Sequence, residues 1–159
     1  MKVLKSLVPL VAIASLVFFS NCGSDSTETP IQDQQLAKLT ATWNIASASR
    51  DGVAVDYTGF KLTISGTAGA TSFDYSTQGR PALSPWKSSG KWSFGQSVET
   101  QIIRDPSPPP PALPNPDELQ MTYVVTDTSL QLTFTFNGNG YTNPRVGVVK
   151  GNWVFNFTK

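Results

Sequence analysis

Cys22 carries the only thiol of the chain, and it stands two residues, Ser20 and Asn21, beyond an apolar run over residues 7–19 that is itself preceded by Lys2 and Lys5. A thiol can act as a nucleophile, a metal ligand or an attachment point for lipid. With no second cysteine it cannot close a disulfide within the chain. Carboxylates are the other candidates for chemistry: Asp51, Asp56, Asp74, Asp105, Asp117 and Glu118. Hydrolysis of a sugar bond needs two of them facing each other across a cleft. All except Asp74 fall at turns or loops, and Asp74 alternates onto a polar face, so they are expected as solvated surface charge.

The rest of the composition narrows the chemistry further. The chain has no histidine, which removes the commonest general base and the commonest metal ligand. No Gly-x-Ser-x-Gly elbow supports a serine nucleophile, no spaced Asp set resembles a calcium loop, and no glycine-rich loop leads into a helix to cradle phosphate. No catalytic residue, metal or cofactor is therefore assigned, and a non-enzymatic role is expected.

Residues 2–19 read as the basic start and apolar centre of an export signal. A membrane span needs about 20 apolar residues to cross roughly 30 Å of hydrocarbon, and this run is shorter and holds Pro9. Phe18-Phe19-Ser20-Asn21-Cys22-Gly23-Ser24 resembles the lipobox of bacterial lipoproteins. The resemblance implies cleavage between Asn21 and Cys22, acylation of the Cys22 sulfur, and membrane attachment through those acyl chains. Each buried methylene contributes about 0.8 kcal/mol, so two or three chains make a lasting anchor. Phe19 and Asn21 depart from the commonest residues at their positions. The division expected is a signal peptide over 1–21, a lipidated N-terminus and polar linker over 22–38, and a β domain over 39–159.

Once 1–21 are removed, 138 residues remain, with ten Lys and Arg against eleven Asp and Glu. That balance argues against nucleic acid as a partner, because such proteins carry a basic excess. Residues 31–38 are expected to form a short helix held to the domain by Leu36 and Leu39. Beyond Leu39 the apolar residues recur at every second position, the mark of strands with one buried face. Eight are predicted, over 42–47, 60–64, 73–77, 91–94, 99–104, 119–125, 130–136 and 148–157. Short gaps favour antiparallel neighbours, and eight such strands can close into an up-and-down barrel. A two-sheet β-sandwich is the alternative.

Three strands share a pattern in which a small residue precedes tryptophan by two positions: Ala41-x-Trp43-x-Ile45, Gly90-x-Trp92-x-Phe94 and Gly151-x-Trp153-x-Phe155. The small residue is expected to leave room for a neighbouring indole. With Leu39, these motifs make residues 39–159 similar to the lipocalin-like lipoproteins of Bacteroidota-type bacteria. The resemblance implies a cell-envelope protein, anchored at the outer membrane on its periplasmic or exposed face. Two roles follow: a structural or protein-interaction module whose rings fill the barrel, or a binder of a small apolar or amphipathic ligand with Trp43, Tyr75, Trp92, Tyr123 and Trp153 at its mouth. Seven of the twelve prolines fall in 105–116, predicting a stiff, extended loop that is either a hairpin insertion or a docking segment.

Overall fold

The computed structural model describes residues 28–108, 113–141 and 149–159. Asn21, Cys22 and the proposed signal segment lie outside the described residues, as does the proline tract over 109–112. The elements run α1 (Ile31–Leu39), β1 (Ala41–Arg50), β2 (Val53–Val55), β3 (Lys61–Ser65), β4 (Phe73–Gln78), β5 (Ser89–Phe94), β6 (Gln101–Arg104), β7 (Leu119–Val125), β8 (Ser129–Phe136) and β9 (Gly151–Thr158). Every pairing is antiparallel; β2 aside, each strand pairs with the next in sequence, and β9 returns to β1. The result is a closed eight-stranded barrel, with β2 as a short extra strand paired to the C-terminal end of β1, Ala48 to Arg50. The β-sandwich alternative is excluded by the β1 to β9 closure.

Alternation explains the core. Leu130, Leu132, Phe134 and Phe136 on β8 point inward, and so do Trp153, Phe155 and Phe157 on β9. Their rings stack: Phe155 lies 5.8 Å from Phe134 and 5.4 Å from Trp153, both nearly parallel. Register between β1 and β9 shifts at Ala46, a bulge that carries β1 round the closure.

Helix α1 closes one end. Asp33 in its first turn and Lys38 in its last suit the helix dipole. Leu36 and Leu39 are buried beneath it as expected, Gly69 N–H donates to Asp33 at 3.0 Å, and the Tyr123 hydroxyl donates to Gln35 and to the Val98 carbonyl. The opposite end is covered by described residues of the connecting loops, among them Tyr57, Trp86, Asp117 and Tyr141.

The outer wall has two characters. Strands β3 to β5 carry Lys61, Asp74 and Lys91, the last two paired at 2.7 Å. From β6 to β9 the strands contain one charged residue, Arg104, and it points inward. Elsewhere on that wall the side chains are amides, hydroxyls, Val124, Val154 and Ile103. Register sets them in cross-strand rows, Gln101, Thr122, Thr133 and Val154 in one and Val124, Gln131, Asn156 and Ser47 in another.

Candidate functional site

At the loop end, residues 79–88 fold inward and drive Trp86 into the barrel. Its indole meets Phe60, Tyr75, Phe134 and Phe155 at centroid distances between 5.6 and 6.2 Å. Pro81 and Pro85 stiffen the loop, and hydrogen bonds fix it at several points: Arg80 to the Trp86 carbonyl at 2.8 Å, Trp86 N–H to Ser84 Oγ at 3.1 Å, and Thr77 Oγ1 to the Lys87 carbonyl at 2.7 Å. Tyr57 closes over the same loop, donating to the Leu83 carbonyl and Ser84 Oγ, each at 3.4 Å. Burial pushes its phenol up to about 12.

Beneath Trp86 lies a charged cluster. Arg104 is 1 % exposed; its Nη1 donates to the Pro85 carbonyl at 2.7 Å and its Nη2 to Tyr141 Oη at 3.5 Å. Its guanidinium also sits 5.4 Å from the Trp86 ring centroid and 5.6 Å from that of Tyr141, close enough for cation–π attraction. Asp105 follows with φ of 51° and is 7 % exposed, a left-handed conformation that Asp tolerates better than most residues. It accepts from Tyr75 Oη at 3.2 Å and from Lys91 N–H at 3.2 Å, and pairs with Lys87 at 3.2 Å and with Arg104 Nε at 3.7 Å. Lys87 also reaches Asp117 at 2.8 Å, which Tyr141 supports with a hydrogen bond of 3.1 Å. Two cations thus face two anions, and the cluster ties three loops to the barrel rim. Among the described residues, Arg104 Nε and Trp86 Nε1 are buried N–H groups without a hydrogen-bond acceptor.

This placement corrects two expectations. Asp105 is buried and partnered, not solvated, because the strand parity that sends Ile102 inward sends Arg104 inward too and the carboxylate follows it. Gly90 makes room for Asp105 and Tyr75, not for an indole: a Cβ there would overlap Asp105 Oδ1 and stand 2.7 Å from the Tyr75 ring. Gly151 likewise faces Asp51 and Arg50. Asp74 does lie on the outer face, where Lys91 pairs with it.

Burial and the ion pairs set the ionisation of the cluster's side chains. Burial raises the pKa of Tyr75, and it does the same at Tyr141 against the opposing charge of Arg104. Burial pulls the Lys87 ammonium down, but Asp117 and Asp105 together more than offset this and leave it raised. The Lys87 hydrogen bond holds Asp117 below the ordinary carboxylate value. Each of these groups moves away from neutrality. Two Ser-x-x-Lys spacings occur here, Ser84 to Lys87 and Ser88 to Lys91, yet each lysine is engaged by carboxylates, on Asp105 and Asp117 in one case and Asp74 in the other.

The five rings predicted at a mouth do not share one surface. Trp43 donates to the Leu39 carbonyl at 2.9 Å beneath α1 and lies under Lys159 at 4.9 Å. Trp92 packs on Phe73 and Phe94 and donates to the Asp74 carbonyl at 3.2 Å. Tyr123 bonds the helix end, and Trp153 donates to the Val149 carbonyl at 3.0 Å. Only Tyr75 and Trp92 line the interior void, with Leu39, Trp86, Arg104 and Met121 among its other walls. That void measures about 20 Å³, room for about one water, whereas ligand pockets start near 300 Å³. Trp86, Arg104, Lys87 and Tyr141 were not legible as a site from periodicity, because three of them sit on loops where no alternation applies. Comparison with known proteins gives no match to any family model, any curated protein or any solved structure.

Proposed function

We propose that this chain is a lipid-anchored protein of the cell envelope with a non-enzymatic role, its filled barrel serving as a structural or interaction module. One observation carries the reading: the interior that would receive a ligand is occupied by the chain's own Trp86 and its ring neighbours, leaving about 20 Å³. Anchorage rests on the lipobox resemblance around Cys22, with acyl chains holding the protein at the outer membrane. Helix α1 leads from that linker into the barrel, so the loop end bearing Trp86 would be the more distant from the anchor.

Uptake of an apolar ligand is the alternative, and it would require Trp86 to leave. Tryptophan fluorescence titrated with palmitate separates the two. No saturable change is expected; a stoichiometric change would overturn the filled-barrel reading. Membrane fractionation tests the anchor separately: Cys22→Ala should move the protein to the soluble fraction, and unchanged fractionation would refute acylation.

A further inference from the structure

We propose that the outer wall formed by β6 to β9 binds a neutral polysaccharide. This goes beyond the role above and holds whether or not Cys22 is acylated.

The wall's chemistry selects the partner. Soluble surfaces commonly carry roughly a quarter to a third charged residues, and β3 to β5 conform, while β6 to β9 present none outward. An anionic partner would need Arg or Lys here, and a cationic one would need carboxylates. Protein interfaces favour aromatic residues and Arg at their centre, and neither faces outward from these strands. A neutral sugar fits, because each hydroxyl is both donor and acceptor, as are the amides and hydroxyls of the wall. Val154 and Ile103, set among them, offer apolar contact for the C–H faces of a ring.

Geometry agrees with this choice. A cleft of about 420 Å³ is lined by Gln101, Gln120, Thr122, Thr133, Thr135 and Asn152. It shares Gln101 and Gln120 with a second cleft of about 370 Å³, so the two adjoin across β6 and β7. Strand spacing of about 4.8 Å is close to the size of one pyranose ring, so successive strands can meet successive residues of a chain lying across them. The side chains are already ordered: Thr135 donates to Asn152 at 2.7 Å, and Gln131 to Asn156 at 2.8 Å. Ordering before contact lowers the entropy cost of binding.

The test is depletion of the full-length chain, in mild detergent, by insoluble cellulose, curdlan, starch and mannan, with calcium alginate as the anionic counter-probe. At least one neutral polymer should retain the protein and alginate should not. Gln120→Ala should weaken retention about threefold, as loss of one neutral hydrogen bond implies, and Thr122→Lys about tenfold, because a long charged side chain also obstructs the neighbouring groups of its row. Lys61→Ala, on the charged wall, should leave it unchanged. Near-UV circular dichroism identifies any variant that fails to fold, and Gln120→Ala, an exposed truncation, keeps the test open if Thr122→Lys does. Retention by no neutral polymer, equal retention by alginate, or full retention by both wall variants would overturn the proposal. So would concentration-dependent self-association abolished by Thr122→Lys, which would mean that a second copy covers the face.

Discussion

At one end of the barrel Leu36 and Leu39 press an apolar helix face onto the core; at the other, Trp86 descends over Arg104 and a balanced set of charges. Both closures exclude water, but they specify structure differently. Apolar contact is non-directional and scales with area, so the helix end depends on volume. The loop end depends on the position of individual donors, because a buried charge that loses its partner keeps its desolvation cost.

One replacement made at both ends should break them apart. Arg104→Met preserves bulk but removes the donors to Pro85 and the partner of Asp105; a loss of about 3 kcal/mol is expected, at the low end for a broken buried pair because Lys87 remains on Asp105. Leu39→Met preserves bulk and chemistry alike, and should cost less than about 1.5 kcal/mol. Urea denaturation of both variants measures the contrast. Equal losses would show that the charged cluster closes the barrel by packing alone.

A smaller perturbation resolves how the loop end is assembled. Tyr75→Phe deletes the hydroxyl that donates to Asp105 while the ring stays against Trp86. Asp105 keeps Lys87, the Lys91 N–H and Arg104, so about 1 kcal/mol is expected. A loss as large as that of Arg104→Met would instead make the phenol the keystone of the cluster.

The helix end was the more legible of the two in the sequence. Leu36, Leu39 and the alternating strand residues declare their burial through period, and the eight barrel strands follow from it. Phe94 is half-buried although it shares the parity of the buried Trp92. Strand β2 has no periodic signature, because three residues are too few for alternation to register. The loop end was opaque for a different reason. Period says nothing about residues 79–88, so Trp86 had no assigned face, although a tryptophan between Pro85 and a lysine is too large an apolar group to be left in water cheaply. Arg104 shows two rules in conflict: parity with Ile102 pointed it inward, the usual exposure of arginine pointed it outward, and parity prevailed because Asp105, Trp86 and Tyr141 were there to receive it.

The gentlest test titrates the two ends against each other. Asp117 sits below its ordinary value of 3.8 because Lys87 bonds it, against an opposing effect of burial, and Glu118 sits below 4.5 through the hydrogen bonds of Ser107. A depressed carboxylate contributes stability that is complete above its unfolded value and lost as pH falls through the folded one. The loop end should therefore loosen below about pH 4, whereas the leucine contacts under α1 exchange no proton. Asp117 is 40 % exposed, so solvent screening keeps the effect below about 1 kcal/mol, and salt should weaken it further. Two indole N–H groups report the ends separately by NMR: Trp43, bonded to Leu39, and Trp86, above Arg104. On acidification the Trp86 signal should shift or broaden before that of Trp43. If both move together, the barrel loosens as one unit and its ends are not independent closures.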